Sequence, residues 1–196
     1  MAFVIQGEGL NALGRNGKGM GYGGINNSLA IEFDTYFNYE DNDPYENHVS
    51  IHTRGWRNPN NENHVYSLGH SNDVPDLTDG IMNIRIKYEP YFDLSHVSKP
   101  SFVMSPHMTY FFKNDAYHDD GLGDWGYAGL GMIHVYCQNI NDPILTVPLH
   151  LSKTLNLNRG RAWVGFTAST GDETFQVHDV LDFTFSSLRY DESVRK

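Results

Sequence analysis

Apolar residues in this chain of 196 residues occur in short runs, which clusters of glycine, asparagine, aspartate and proline separate. Such runs are typical of β-strands bounded by turns, and helical periodicity is not sustained anywhere. We therefore predict an all-β fold, as a β-sandwich or jelly roll in a single domain over residues 1–196. The predicted strands are AFVIQ, NSLAIEFDTYF, HVSIHT, IMNIRIKY, MIHVYC, ILTVPLHL, RAWVGFTAS and VLDFTFSSL.

Two segments interrupt this pattern. Residues 14–24, GRNGKGMGYGG, form a glycine-rich loop, where the backbone can approach a ligand or another strand closely. Residues 91–129 form a long aromatic and histidine-bearing insertion between two predicted strands. Long connections without evident structure of their own tend to be functional or flexible. The insertion therefore predicts either a contact surface for a protein partner or a locally packed excursion.

The acidic character of the chain argues against two classes of partner, nucleic acids and anionic membranes. The formal net charge is −10 and the pI about 5.3. Nucleic acids and anionic membranes attract Lys and Arg, so we expect neither as a partner. No apolar run approaches the roughly 18 residues of a membrane span. The acidic surplus fits a protein that binds cations.

The single cysteine, Cys137, excludes an intrachain disulfide and is best interpreted as a buried core thiol.

The segment SLAIEFDTYFN places acidic residues inside an apolar strand. Because side chains alternate between the two faces of a strand, Glu32 and Asp34 project from the face opposite to Ile31, roughly 7 Å apart. Their face also carries an alanine and a tyrosine, which indicates partial burial. Two buried carboxylates are costly unless a cation pairs with them. No lysine or arginine lies between Lys18 and Arg54, so the sequence favours a metal ion as this cation.

The turn that follows supplies three more candidate ligands. Asn38, Asp43 and His48 complete the spacing E-x-D-x-Y-x-N-x4-D-x4-H, which begins at Glu32. Oxygen ligands from Asp34, Asn38, Asp43 and a main-chain carbonyl suit calcium. A set that includes His48 suits a transition ion, with manganese among the candidates. A solvated acidic turn before a strand-end histidine is the other interpretation of the same residues.

This stretch resembles the metal-binding segment of the legume-type (L-type) lectins. The signature of that family is VEFDTY-N-D-P-H-V-G-I, and residues 31–51 match it in residue type and spacing, with Ser50 where glycine is usual. AFVIQ, GMGYGGINNSLAIEFDTY and RAWVGFTASTGDETFQVHDVLDFTFSS resemble further segments of the family. The middle of the chain is similar to microbial rather than plant versions. The resemblance covers nearly the whole chain and leaves mainly residues 91–129 unmatched.

The resemblance implies a concanavalin-like jelly-roll sandwich of two antiparallel sheets, which binds sugars beside a calcium ion and a transition-metal ion. In that family the metals fix the loop that contacts the sugar. Carried over by position, the manganese-type ion would be held by Glu32, Asp34, Asp43 and His48, and calcium by Asp34, the Tyr36 carbonyl, Asn38 and Asp43.

The resemblance also implies a set of sugar contacts. The Asn38 amide would donate a hydrogen bond to a sugar hydroxyl, and the Tyr36 ring would stack on the apolar face of the sugar. A backbone N–H of the glycine loop would add a further hydrogen bond, with Gly19 and Gly21 as candidates. The loop that contains Gly171, Asp172 and Glu173 would determine which sugar fits.

One feature of the family is missing from this chain. The family's sugar-binding Asp, in an Asp-Gly pair just before AFVIQ, has no counterpart, and neither do the strands before it. No signal peptide is visible, because Met1 is followed at once by a predicted strand. We therefore expect an N-terminally incomplete domain that belongs to a larger protein.

The sequence predicts a non-catalytic, metal-dependent carbohydrate-binding module, located outside the cell or in the secretory lumen, with glycans or glycoproteins as partners. The alternative is a structural or adhesion domain that keeps the lectin fold without binding sugar. A glycoside hydrolase on a related jelly roll is less favoured, because the paired carboxylates are better used as metal ligands.

Overall fold

The computed structural model describes residues 1–108, 130–157, 160–171 and 175–187. Eight strands form the framework of this part of the chain: β1 Ala2–Gln6, β2 Ser28–Asp34, β3 His48–Thr53, β4 Ser67–Ser71, β5 Ile84–Glu89, β6 Gly131–Cys137, β7 Leu145–Leu149 and β8 Trp163–Thr167. Between them lie a helical turn, α1 Leu151–Thr154, and 3-10 turns at Gly17–Gly19, Tyr39–Asp41, His64–Tyr66 and Leu94–His96.

The strands form two antiparallel sheets. The larger sheet has five strands in the order β4-β3-β2-β1-β8, and the smaller has three in the order β5-β6-β7. This confirms the prediction of an all-β fold built from two antiparallel sheets. No helix among the described residues is long and apolar enough to span a membrane.

One apolar core lies where the two sheets meet. Leu29 and Ile31 of β2 are fully buried, as are their neighbours Val49 and Ile51 of β3. Each such side chain stabilises the fold by roughly 1.5–3 kcal/mol relative to an exposed one. The smaller sheet contributes apolar residues of β6 and β7 to the same cluster: Ile133, Val135, Leu145, Val147 and Leu149. The alternation predicted for β2 is therefore correct, and it leaves the acidic residues of β2 on the opposite face.

The first part of the predicted insertion, residues 91–108, runs from the smaller sheet to the larger one. The Val103 amide donates to the Thr146 carbonyl of β7 (2.9 Å), and the Thr146 amide donates to the Ser101 carbonyl (2.7 Å). The Ser105 amide then donates to the Leu68 carbonyl of β4 (3.1 Å). This part is a locally packed excursion. Residues 109–129 lie outside the described residues, so the protein partner of the insertion stays a prediction.

Seven of the eight predicted strands are present in the structure. One predicted strand is absent from it, and one observed strand, β4, was not predicted. VLDFTFSSL was expected as a strand, but its described residues, 180–187, have no regular secondary structure. Phe183 packs against Phe3 and Phe166, with ring centroids 6.3 and 5.1 Å away. The alternating pattern is present, but no described strand pairs with this segment. Conversely, β4 was not predicted, because its sequence, SLGHS, has a single large apolar residue.

Candidate metal centre

The face of β2 and β3 that points away from the core carries a buried polar row. β2 presents Glu32 and Asp34, and the register places Ser50 opposite Glu32 and His48 opposite Asp34. Because residues two apart share a face, His52 continues the row on β3. All five side chains are buried, whereas the outer face of an antiparallel sheet is commonly solvated.

Six side chains on and beside this face form three overlapping clusters. Within each cluster, one ligand atom from each of three residues lies within 4.8 Å of the others: Glu32, Asp34 and His48; Asp43, His48 and His64; and Glu32, His52 and His64. Glu32, His48 and His64 each belong to two clusters. These six residues therefore form one continuous group, which we call the β2–β3 centre.

His48 and His64 form a close pair whose ring nitrogens are within hydrogen-bond distance, so two ligands of one metal ion would have to move slightly apart. Their Nε2 atoms lie 2.9 Å apart. The Nδ1 atom of His48 donates to the Tyr45 carbonyl at 2.6 Å, so its Nε2 atom carries a lone pair. Two imidazole nitrogens at about 2.0–2.1 Å from one tetrahedral metal lie roughly 3.3 Å apart. A ligating imidazole commonly donates its other N–H to a carbonyl, as His48 does.

His52 and Glu32 form a second close pair in the centre. The Nδ1 atom of His52 donates to the Asn61 carbonyl at 3.1 Å, which leaves a lone pair on Nε2, 3.1 Å from Glu32 Oε2. That same carboxyl oxygen accepts a hydrogen bond from the Tyr22 hydroxyl at 2.7 Å. A lone pair that faces an ionised carboxylate is repelled by it. The Ser50 hydroxyl, 2.9 Å from His52 Nε2 and 3.3 Å from Glu32 Oε2, can donate a hydrogen bond to one of the two groups. A proton on Glu32, or a cation between the two groups, would remove the remaining repulsion.

Burial sets the charge of the centre when no cation is bound. It raises the pKa of Glu32 well above its usual range, with the Asp34 charge as a further cause, and it raises the pKa of Asp43 to about 7. Burial also lowers the pKa of three histidines: His48 to about 4, His52 to about 3 and His64 to about 2. The imidazoles are thus neutral at pH 7, which is the form that binds metals. A bound metal would displace the protons of the carboxyl groups.

The acidic turn after β2 is held by the same carboxylates. Asp34 Oδ1 accepts hydrogen bonds from the amides of Thr35 and Tyr36 (2.7 and 2.9 Å), and β2 ends there. Asp43 Oδ2 accepts a hydrogen bond from the Asn38 amide at 2.5 Å. Asp34 and Asp43 fall in different clusters, which His48 joins. Four of the six predicted metal ligands, Glu32, Asp34, Asp43 and His48, thus fall in overlapping clusters. The other two, Tyr36 and Asn38, lie in the turn, where their amides bond to Asp34 and Asp43, and their role as ligands stays a prediction.

Exposed aromatic rings surround this turn. Tyr36 is 55% exposed, Phe37 47% and Tyr39 82%. Beside the turn lies an open depression of about 480 Å³, lined by Phe37, Tyr39, Glu40, Asn42 and Asp43. Flat aromatic faces beside fixed polar groups suit a ligand that has both apolar and hydroxyl-bearing surfaces. Asp43 belongs both to this depression and to the β2–β3 centre.

The glycine loop lies against the end of β8. Gly21 has a left-handed φ of +73°, and a Cβ atom there would lie 3.0 Å from the Cβ atom of Thr167. The amides of the two predicted sugar-binding glycines donate within the loop, Gly19 to the Asn16 carbonyl (3.1 Å) and Gly21 to the Arg15 carbonyl (2.7 Å). A sugar hydroxyl would have to compete with these internal hydrogen bonds.

The loop after β8 contacts the glycine loop. The Ser169 hydroxyl donates to the Gly17 carbonyl, and Gly171 follows two residues later. Further along, Gln176 accepts a hydrogen bond from the Thr35 hydroxyl at 2.5 Å. Asp172 and Glu173, both predicted to contact sugar, lie outside the described residues. Their role stays a prediction.

The positive groups near the acidic turn pair with acids outside the β2–β3 centre. Lys18 forms an ion pair with Asp41 (3.0 Å), and Arg15 forms one with Glu62 (2.7 Å). The amino group of Met1 donates to the Phe33 carbonyl (3.0 Å), and its charge acts on Glu32 and Asp34, although burial lowers its pKa. In the described part of the chain, no lysine or arginine forms an ion pair with a carboxylate of the centre.

Sequence reasoning missed two ligand candidates, His52 and His64. His52 follows His48 and Ser50 at the same period of two, so the alternation used for β2 would have placed it on the same face. His64 had no comparable signal, because it comes from a 3-10 turn before β4 that folds over the centre. No protein-family model matches this chain. The lectin family thus stays an expectation that rests on the motif residues.

Proposed function

We propose that this chain is a non-catalytic, metal-dependent carbohydrate-binding module. The observation that carries the proposal is a buried, cation-poor group of carboxylates and imidazoles directly beneath a turn with exposed aromatic rings. Asp43 links the two parts, because its carboxylate lies in the β2–β3 centre and also accepts the Asn38 amide hydrogen bond. The chemistry of the ligands supports a metal, and the surface above them supports a sugar.

In this proposal the β2–β3 centre holds a transition ion through its carboxylates and imidazoles. Glu32, Asp34 and His48 would ligate it, with His64 as an added nitrogen ligand. The mixture of carboxylate and imidazole suits manganese or zinc. A calcium ion would use oxygen atoms of the turn, from Asp34, Asp43, Asn38 and the Tyr36 carbonyl.

The metals would act by fixing the turn before the sugar arrives. A turn held by metal ligands loses little conformational entropy on binding, so more of the interaction energy appears as affinity. Asn38 would then donate its side-chain amide to a sugar hydroxyl. Tyr36, which is more than half exposed, would present its ring to the apolar face of the sugar.

A glycan array probed with the metal-loaded protein tests this function. Binding to one class of glycans is expected, with loss in EDTA and loss in Asn38→Ala. Asn141→Ala, an exposed asparagine in the β6–β7 connection, is the matched control and should bind as the wild type does. If the metal-loaded wild type binds no glycan, or if binding survives Asn38→Ala, the sugar site is not at this turn.

A structural or adhesion domain without sugar binding is the second candidate. The internal hydrogen bonds of the Gly19 and Gly21 amides favour it, because those donors are already used. The two candidates differ in one outcome. A module that gains thermal stability from metal but binds no glycan would be the structural domain.

We further propose that the module works outside the cell or in the secretory lumen as part of a larger protein. The glycans and glycoproteins that it would bind are displayed there. The carboxylates that a glycoside hydrolase would need are committed to the β2–β3 centre in this proposal.

A further inference from the structure

A second group of metal-ligating side chains lies on the smaller sheet, away from the β2–β3 centre. Glu89 at the end of β5, His134 in β6 and His96 in the 3-10 turn Leu94–His96 each place one ligand atom within 4.8 Å of the others. His134 lies between core residues Ile133 and Val135, so its side chain points to the opposite, outer face of the sheet. The 3-10 turn after β5 brings His96 against His134, whose side chain is buried.

The three side chains are already held in a ligand-like arrangement. His134 Nε2 lies 3.2 Å from Glu89 Oε2, and the rings of His96 and His134 have centroids 4.8 Å apart. The His134 side chain is 1% exposed, Glu89 12% and His96 16%. Burial lowers the pKa of His134, so the imidazole is neutral at pH 7. The hydrogen bond from Lys87 lowers the pKa of Glu89 although burial opposes it.

Two of the three residues, Glu89 and His134, have partners in an ordinary ion-pair network and need no metal to account for their burial. Lys87 pairs with Glu89, which in turn accepts the proton of His134 Nε2. His96 is not explained in this way. Its Nδ1 atom is buried and has no hydrogen-bond partner among the described residues, and its Nε2 atom lies 4.0 Å from Asp93. A buried nitrogen without a partner costs free energy, and a metal ion would remove that cost.

We propose that Glu89, His96 and His134 form a second transition-metal site, with zinc as the preferred ion. Two imidazoles and one carboxylate are a known zinc ligand set, and they leave the fourth position to water. Binding would displace the proton that His134 Nε2 shares with Glu89. The proton would then reside on Nδ1, which can donate a hydrogen bond to the Thr146 hydroxyl at 3.0 Å, because a hydroxyl can donate or accept.

A metal at this site would attach the start of the insertion to the smaller sheet. His96 belongs to the segment that next runs along β7 to β4, whereas Glu89 and His134 belong to the smaller sheet. A metal shared by these elements would fix the start of the segment before it crosses between the sheets. This role is independent of the β2–β3 centre, which lies on the larger sheet.

A zinc titration of the full chain, followed by calorimetry, tests the second site. His96→Gln is expected to lose one zinc equivalent, or to bind it at least roughly 10-fold more weakly. His64→Gln, which alters the β2–β3 centre, should retain that equivalent. His150→Gln, at the start of α1, is a matched control that should bind as the wild type does. Equal stoichiometry and affinity in His96→Gln and wild type would overturn the proposal.

A second variant keeps the test informative if His96→Gln folds poorly. Lys87→Met removes the ammonium group that competes for Glu89 and leaves all three ligands in place. Zinc affinity of the second site should rise several-fold in this variant. An unchanged or lower affinity in a folded Lys87→Met protein, judged by circular dichroism, would count against the site.

Discussion

His64 connects the parts of the β2–β3 centre. Its Nε2 atom lies 2.9 Å from His48 Nε2 and 3.9 Å from Asp43 Oδ1, and it shares a cluster with Glu32 and His52. It comes from outside the two strands that supply most of the other ligands. A metal held by this residue would therefore tie the turn before β4 to β2 and β3.

Replacement of His64 should weaken transition-metal binding without unfolding the protein. His64→Gln removes one nitrogen ligand, and we expect the affinity for Mn²⁺ or Zn²⁺ at the β2–β3 centre to fall at least roughly 10-fold. Calorimetry with each metal measures this change, with His150→Gln as the control. Unchanged affinity for both metals would show that His64 is only a neighbour of the site.

Asp43 gives the metal-free protein a specific pH dependence. Its pKa rises from 3.8 to about 7 on folding because the carboxyl group is buried. Between these values the unfolded chain carries an ionised carboxylate while the native state keeps the proton. The native state thus binds more protons, and the contribution of Asp43 to stability decreases as pH rises through this range.

Asp43→Asn isolates this effect, because the amide is neutral at every pH. In EDTA, the stability of the wild type relative to the variant is expected to fall from about pH 4 to about pH 7. With Mn²⁺ the stability of the wild type relative to the variant should instead increase over the same pH range, since the metal needs the ionised carboxylate. Urea unfolding across this pH range measures both. Parallel stability curves for the two proteins in EDTA would contradict the burial of this carboxyl group.

At the scale of residues, the sequence predicted the strand ligands but not all the histidines. Glu32, Asp34 and His48 follow from alternation along two strands, which is a local property. His64 depends on how the connection before β4 returns across the sheet, which no local pattern encodes. The internal hydrogen bonds of the Gly19 and Gly21 amides could not be predicted either, because they arise from the shape of the whole loop.

Among the elements, the glycine loop combines left-handed backbone conformations with close contact to β8. Gly21 combines a left-handed φ of +73° with close contact to Thr167 of β8, whereas Gly17 has a φ of +56° in open space. Both would be strained by a side chain, but only Gly21 would also push against another element. The loop and β8 are therefore positioned by each other.

The pair Gly21→Ala and Gly17→Ala separates these two costs. Gly17→Ala should lose about 1–2 kcal/mol of stability from backbone strain alone. Gly21→Ala should lose that amount and more, because the loop must shift away from Thr167. Chemical denaturation of both variants measures the difference. Equal losses would show that the contact between the loop and β8 adds nothing.

The elements that sequence reasoning missed share a cause. β4 has a single large apolar residue, Leu68, and its Gly69 packs closely against other elements, because a Cβ atom there would lie 2.9 Å from Val147 and 3.2 Å from Val103. Residues 180–187 have the alternation of a strand but no partner among the described strands. Pairing between strands depends on distant residues, so the pattern in one segment does not determine it.

In the whole molecule, the two sheets share one core and carry their polar clusters on opposite outer faces. The β2–β3 centre lies on the larger sheet, and Glu89, His96 and His134 lie on the smaller one. Buried titratable groups on both faces cost stability in the absence of cations. We propose that metal ions compensate this cost.

Thermal unfolding in EDTA and in Mn²⁺ with Ca²⁺ tests whether metal ions stabilise the native state. A ligand at about 100 times its Kd stabilises the native state by about 2.7 kcal/mol, which raises the midpoint by roughly 5–10 °C for a chain of this size. We expect such a rise for the wild type and its loss in Glu32→Ala and Asp34→Ala. An unchanged midpoint in the wild type would contradict the metal centre, and with it the proposed function.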